Sequence, residues 1–202
     1  MLYDLHMLRA VAALLVVYYH TVSDAGLGFR GQFGAFGVDV FFVISGFIVS
    51  YVSAKSPDDF MTRRLIRVVP FYWCATLALF AVALLMPSVL RQTRPDWMHL
   101  LHSLFFIPYA KADGSTFPLM ILGWTLNYEI YFYALFAIAL KLDPRRAPLL
   151  TCGAIVAILG ALTLAKVEHP VAAFYADTIV LEFCYGVRSE EHTSELQSPV
   201  VI

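Results

Sequence analysis

An arginine and a histidine delimit the first apolar run of the chain. Arg9 begins this run and His20 ends it. A helical rise of ~1.5 Å per residue would separate their Cα atoms by ~16 Å, about half the thickness of the hydrocarbon core of a membrane. Ionisable groups are costly there and commonly mark a functional site, although an arginine can also extend to lipid headgroups and a histidine can lie at the interface. This run alone favours neither interpretation.

Two carboxylates interrupt later apolar runs, Asp39 in the second and Glu129 in a more distant one. A carboxylate beside an imidazole fixes its tautomer and stabilises the imidazolium, as general base catalysis requires. If the second helix starts on the outer side, Asp39 should lie at a similar depth to His20, and Glu129 should lie near the middle of its own span. The alternative is that both acids only hold helices together through hydrogen bonds.

Composition places these residues in a membrane. The 202 residues are 60% hydrophobic and 14% charged, with a mean hydropathy of +0.72, whereas soluble domains carry about 25% charged residues. The net charge of −1 and the lack of a basic patch argue against a nucleic acid partner. The three cysteines lie singly in apolar runs without the spacing of metal ligands, so no metal site is predicted.

The apolar segments predict an all-α fold, a polytopic transmembrane helix bundle with about five visible spans. Residues 98–109 are apolar but too short to cross, which predicts a re-entrant or interfacial segment. Pro70 should lie in the first turn of the third span. The predicted spans are residues 5–21, 35–53, 68–86, 119–140 and 148–165, and residues 171–187 begin one more.

The distribution of lysine and arginine among the connections predicts the orientation of the bundle in the membrane. The two most basic connections, residues 55–67 and 141–146, should both be cytoplasmic. Both connections can be cytoplasmic only if residues 98–109 do not cross the membrane. The N-terminus is then cytoplasmic, and the absence of a basic n-region before the first apolar run argues against a cleavable signal.

Four sequence blocks lie between residues 8 and 133. They are Leu8-Arg9 followed by His20 (R-x(10)-H), the glycine- and phenylalanine-rich run at 34–47, the arginine-rich run at 60–73, and Trp124-Thr-Leu-Asn-Tyr-Glu129 continued to Tyr133. Taken together, these blocks resemble the membrane acyltransferases of acyltransferase family 3, and in particular the bacterial branch that acetylates exopolysaccharides. Thr125 stands where the family usually has serine, and both residues offer a hydroxyl.

The resemblance implies transfer of an acyl group, usually acetyl from acetyl-CoA, to a sugar hydroxyl of a surface or exported polysaccharide. It implies a multi-pass protein of the bacterial inner membrane, in contact with lipid, a glycan acceptor and polysaccharide assembly machinery. The residues that match the family's motifs are His20, Arg9, Asp39 and Glu129 for catalysis and Arg64 and Arg67 for the acyl donor.

The mechanism that follows from this resemblance uses His20, oriented by Asp39 or Glu129, as the base that takes a proton from the acceptor hydroxyl. Arg9 would stabilise the oxyanion or contact the donor, and a relay through an acylated side chain is a further possibility. The arginine pair Arg64 and Arg67 would bind the phosphates of acetyl-CoA. Without the family, a membrane anchor that binds anionic headgroups explains these arginines better.

The end of the chain departs from the pattern before it. Residues 188–202 resemble the conceptual translation of a sequencing-library adapter, so we expect them not to be native and residues 1–187 to be part of an acyltransferase transmembrane domain. The chain then resembles an N-terminal, truncated fragment, which could be inactive alone. Two other classes stay open: a proton-coupled transporter fragment, and a structural or sensory membrane protein.

Overall fold

The computed structural model describes residues 2–24, 36–55, 59–88, 90, 95–111 and 114–197. These residues form eight α-helices, with single 3₁₀ turns before α5 and α8, and contain no β-strand. The predicted all-α fold is therefore confirmed. The helices are α1 (Leu2–Asp24), α2 (Phe36–Lys55), α3 (Phe60–Leu85), α4 (Trp97–Leu104), α5 (Trp124–Leu142), α6 (Ala147–Leu164), α7 (Pro170–Tyr175) and α8 (Leu181–Gln197).

Several helices have the length and apolarity that a membrane span requires. Four segments within the described residues meet this condition, and α1 adds the shorter apolar stretch Met7–Val22. A span needs roughly 20 apolar residues, so the predicted polytopic bundle is confirmed. The four segments are Phe36–Ser53, Phe60–Leu85, Ala147–Leu164 and Pro170–Glu191.

Aromatic side chains of α5 form the centre of the bundle. Phe132 and Phe136 have no exposed surface. Phe132 stacks on Phe183 of α8 with ring centroids 4.5 Å apart, and Phe183 in turn stacks on Phe42 of α2 at 4.6 Å. Phe136 packs against Phe60 of α3 at 5.3 Å. These contacts hold α2, α3 and α8 around α5.

Two glycines allow α2 and α8 to approach closely. A Cβ atom added at Gly46 would collide with the carbonyl oxygen of Phe183, and one added at Gly186 would collide with that of Val43. Small residues at membrane helix contacts let backbones come together in this way. The close approach of α2 and α8 therefore depends on these two glycines.

Helices α3 and α5 run antiparallel. Phe60, at the start of α3, packs on Tyr133 in the middle of α5 and on Phe136 in its second half. Further along α3, the Tyr72 ring lies against Gly123, immediately before α5 begins, where an added Cβ would be 2.5 Å from a ring carbon. The end of α3 and the start of α5 therefore lie towards the same end of the bundle.

The short helix α4 lies between these two and does not cross the bundle. Its eight residues begin with Asp96, whose side chain accepts a hydrogen bond from the Met98 N–H at 2.9 Å. It packs back along α3, where the Trp73 indole N–H donates to the Leu104 carbonyl at 2.8 Å. The prediction that residues 98–109 do not form a crossing helix is therefore confirmed, and their position relative to the membrane stays a prediction.

The start of α3 differs from the prediction. The helix begins at Phe60, eight residues before the predicted span, because Phe60 is buried against α5 and anchors the basic segment as helix. Pro70 consequently lies inside α3 and not in its first turn, so that expectation is wrong. A proline there removes one backbone hydrogen bond of the helix.

The last predicted span, residues 171–187, is broken into two helices. The chain leaves helical geometry after Tyr175, and the Asp177 side chain then accepts a hydrogen bond from the Ile179 N–H at 2.9 Å, which starts the turn before α8. Helix α8 continues to Gln197, while residues 198–202 lie outside the described residues. The expected boundary at residue 188 stays a prediction.

Candidate functional site

A cavity of about 1090 Å³ opens among α1, α2, α5 and α7. Arg9 and His20 line it from α1, Asp39 from α2 and Glu129 from α5. Thr125, the hydroxyl residue of the Trp124 block, lines it as well. The fold thus brings the four predicted catalytic residues, which are spread over 120 positions of sequence, to one cavity.

A second, smaller cavity of about 40 Å³ adjoins the first. Arg64 and Arg67 line it from the first two turns of α3, which positions the predicted acyl-donor pair beside the large cavity. Arg9 and Glu129 line both cavities, whereas His20 and Asp39 line only the large one. Arg9 and Glu129 therefore form the boundary between two compartments.

The Glu129 carboxylate is held by two hydroxyl groups. Ser45 Oγ donates to Glu129 Oε1 at 2.8 Å, and Tyr133 Oη donates to the same oxygen at 3.1 Å. Both donors are buried, with 6% and 4% of their surface exposed. The other carboxylate oxygen, Oε2, takes no hydrogen bond from the part of the chain that the structure describes.

Two arginines of the site, Arg9 and Arg64, lie over aromatic rings. The Arg64 guanidinium carbon is 5.7 Å from the Phe60 ring centroid and 5.6 Å from that of Tyr133, and the Arg9 guanidinium carbon is 5.7 Å from the Phe41 ring centroid. Within the described ranges, neither arginine forms an ion pair with Glu129. Aromatic faces attract these cations and leave their N–H groups available for a ligand.

The register between α1 and α2 is set by a close contact at Gly37. A Cβ atom at Gly37 would lie 2.7 Å from the Ala12 carbonyl oxygen and 3.0 Å from the Val16 side chain. Consistent with this register, Arg9 lies over Phe41, one turn further into α2. Helix α2 therefore begins beside the middle of α1.

This register places Asp39 and His20 at different levels. Asp39 lies opposite the middle of α1, and His20 lies ~13 Å further along that helix. The expectation that the two share one depth is therefore wrong, because α2 starts too far down α1. They face the same cavity, but no hydrogen bond joins them in the described structure. The His20 ring instead packs edge-to-face on the Tyr19 ring, with the two ring centroids 5.4 Å apart.

Sequence reasoning missed the two residues that hold Glu129. Tyr133 lies four residues after Glu129 and so shares its helix face, which is a signal that could have identified it. Ser45 is 84 positions away from Glu129. Its only sequence signal is that it is a polar residue within an apolar helix. No group of three or more His, Cys, Asp or Glu side chains in the described ranges could hold a metal ion.

The comparisons with known proteins agree with this arrangement of motifs. The sequence model described as "Acyltransferase domain" matches residues 2–187. The exopolysaccharide production protein ExoZ of Rhizobium meliloti (strain 1021) is 38% identical over 177 residues, which cover 84% of this chain and 53% of the relative. Nodulation protein 10 of Rhizobium leguminosarum bv. viciae is 30% identical over 192 residues, covering 79% of this chain and 50% of the relative.

The name of a more distant relative refers to a different glycan, peptidoglycan. The peptidoglycan O-acetyltransferase OatA of Listeria monocytogenes serovar 1/2a is 27% identical over 146 residues, which cover 62% of this chain and 22% of the relative. The chain spans about half the length of the first two relatives and a smaller share of this one. No solved structure matches it significantly.

Proposed function

Because this chain belongs to the acyltransferase-domain family, we propose that it is an integral membrane O-acyltransferase. The acyl group is acetyl, its source is acetyl-CoA, and the acceptor is a hydroxyl of a surface or exported polysaccharide. The observation that carries the proposal is the convergence of the motif residues on two adjoining cavities. The names of the relatives, which refer to exopolysaccharide and peptidoglycan, support a glycan acceptor.

His20 is the general base in this proposal. Its imidazole takes the proton of the acceptor hydroxyl, the hydroxyl oxygen attacks the thioester carbonyl, and the coenzyme A thiolate leaves and recovers a proton. Such assistance contributes roughly 10²–10⁴-fold to a rate. The large cavity gives the thioester arm space to extend from the arginines to His20.

The arginines bind the acyl donor in this account. Arg64 and Arg67 lie three residues apart on α3, share one helix face and line the small cavity. Guanidinium groups match the oxygens of phosphates, which acetyl-CoA carries. Arg9 lines both cavities, a position that suits a cation contacting the donor or stabilising the oxyanion.

The orientation follows from the source of acetyl-CoA, which is cytosolic. The start of α3 and the end of α5 lie towards the same end of the bundle, so the two basic connections can both face the cytoplasm of a bacterial inner membrane.

In a cysteine-free background, an impermeant thiol reagent added to intact cells should label Pro87→Cys and not Asp143→Cys. The reverse labelling would invert the orientation.

The function is tested with membranes that contain the full-length protein, labelled acetyl-CoA and a polysaccharide acceptor. We expect label in the glycan, dependent on this protein. A proton-coupled transporter, in which His20, Asp39 and Glu129 relay protons, would move protons and transfer no label. That result would replace the acyltransferase proposal.

A further inference from the structure

We propose that Ser45 and Tyr133 are positioning residues that hold Glu129 beside the arginines on the acyl-donor side of the site, and not beside His20. The inference rests on the proposed function and assigns Glu129 to one of the two roles that sequence leaves open for it. Ser45 and Tyr133 act through Glu129 and the arginines, without a contact to the reacting atoms.

The two hydrogen bonds fix the carboxylate of Glu129. Both donors bind Oε1, one from α2 and one from the next turn of α5. Hydrogen bonds to a charged acceptor are about twice as strong as neutral ones, and burial strengthens them further. Two donors on one oxygen restrict rotation of the carboxylate and leave Oε2 for another group.

Tyr133 links this carboxylate to the arginine pair. Its hydroxyl donates to Glu129 while the face of its ring lies 5.6 Å from the Arg64 guanidinium carbon. Phe60 contacts the same guanidinium from α3. Tyr133 therefore orients both the Glu129 carboxylate and the Arg64 guanidinium. The size of the tyrosine side chain sets the separation between these two groups.

Glu129 lines both cavities, but its two hydrogen-bond donors line only the small one. Ser45 and Tyr133 line the small cavity together with the three arginines, and His20 and Asp39 do not. One carboxylate among three guanidinium groups reduces their mutual repulsion. It leaves an excess of positive charge, which a phosphate-bearing donor can neutralise.

Replacements at Ser45 separate hydrogen bonding from packing. In the full-length protein, Ser45→Ala and Ser45→Cys should both slow acetyl transfer at least about tenfold, because a thiol matches serine in shape but is a weak donor. The control is Ser50→Ala on the same helix, where a buried hydroxyl has no hydrogen-bond partner in the described structure. This control should keep the wild-type rate.

Replacements at Tyr133 separate its two contacts. Tyr133→Phe keeps the ring under Arg64 and loses the hydroxyl that positions Glu129 beside the arginines, so the KM for acetyl-CoA should rise about tenfold with little change in kcat. Tyr133→Leu loses both contacts and should raise that KM further. Tyr72→Phe removes a tyrosine hydroxyl that does not reach Glu129 and should leave both constants unchanged.

Two results would overturn the inference while leaving the proposed function intact. They are a Ser45→Cys variant that transfers acetyl like wild type, which indicates a packing role, and a Tyr133→Phe variant with an unchanged KM for acetyl-CoA. Rates are normalised to the amount of each variant in the membrane, so a loss of folded protein is not counted as a loss of turnover. Failure of the proposed function itself shows differently, as absence of transfer by the wild-type protein.

Discussion

At the scale of single residues, the site contains charges that a membrane interior does not tolerate without compensation. The structure compensates them in two ways. Hydroxyl donors satisfy one oxygen of Glu129, and aromatic faces lie beside the guanidinium groups of Arg9 and Arg64. The second device is weaker than an ion pair with Glu129 would be, so it leaves these arginines able to bind an anionic ligand.

Replacement of the arginine pair should weaken binding of the acyl donor. Arg64→Gln and Arg67→Gln each remove charge-assisted hydrogen bonds to phosphate, so we expect the KM for acetyl-CoA to rise about tenfold or more. The control is Arg63→Gln, since Arg63 lies in the same basic segment and lines neither cavity. The measurement is the dependence of the initial transfer rate on acetyl-CoA concentration.

Equal effects at all three arginines would contradict a donor site. They would instead support the alternative that this segment anchors the protein to anionic headgroups. Lower accumulation of the Arg63 variant in the membrane would point in the same direction.

At the scale of helices, the contact between α2 and α8 depends on Gly46 and Gly186. Gly46→Ala and Gly186→Ala each push a methyl group into a backbone carbonyl of the other helix, so each should destabilise the bundle by about 1–3 kcal/mol. Gly153→Ala on α6 is the control, because an added Cβ there meets nothing within 4 Å. It should be neutral or stabilising by up to ~1 kcal/mol.

The measurement for the three glycine variants is thermal unfolding in one detergent. If Gly46→Ala and Gly186→Ala unfold at the wild-type temperature, the close approach of α2 and α8 is wrong. The same conclusion follows if Gly153→Ala is as unstable as they are.

Helix α4 should make stability depend on pH through His99. Burial lowers the pKa of His99 below its ordinary value of 6.5, and hydrogen bonding of its Nε2 to the Phe117 carbonyl, at 3.0 Å, only partly opposes this. Lys111 and His102 lower the pKa further, while Asp96 raises it. The folded protein therefore disfavours protonated His99, and stability should fall as pH drops below about 6.5 towards the folded-state pKa.

The variant His99→Gln keeps an N–H donor for Phe117 and does not titrate. Its thermal unfolding temperature should fall less than that of wild type between pH 7 and pH 5.5. An equal fall in both proteins would show that other groups cause the pH dependence.

The sequence predicts the helices better than it predicts their relative positions. The apolar runs identify the helices, including the short α4, because these depend on local composition. Helix α5, which lies in the predicted span 119–140, is not among the four segments that meet the span condition. The register of α1 against α2 depends on a long-range contact at Gly37, and for this reason the shared depth of His20 and Asp39 was predicted wrongly. The early start of α3 has a similar cause, since Phe60 is helical through its packing on α5.

In the candidate site too, the sequence predicts local features better than long-range contacts. The motif spacing and the family resemblance pointed to Arg9, His20 and Glu129, and the fold brings them to one cavity. The partner of Glu129 on α2 is Ser45, 84 residues away, and no periodicity reports that contact. Helical spacing alone does place Tyr133 beside Glu129.

At the scale of the whole molecule, the part of the bundle that the structure describes encloses two adjoining cavities within an apolar protein. Arg9 and Glu129 line both of them, Arg64 and Arg67 line the small one, and His20 lines the large one. In the proposed function, the small compartment would receive the phosphate-bearing acyl donor and the large one the sugar hydroxyl. Their shared boundary is the place where an acyl group would pass from one substrate to the other.

The most direct test of this account is the rate of labelled acetyl transfer by the full-length protein carrying His20→Ala, with His102→Ala as the control. His102 lies on α4 and lines neither cavity. At equal protein in the membrane, we predict that His20→Ala loses roughly 10²-fold or more of the activity, as loss of a general base requires, while His102→Ala retains it. Acetyl transfer by His20→Ala at the wild-type rate would contradict the account.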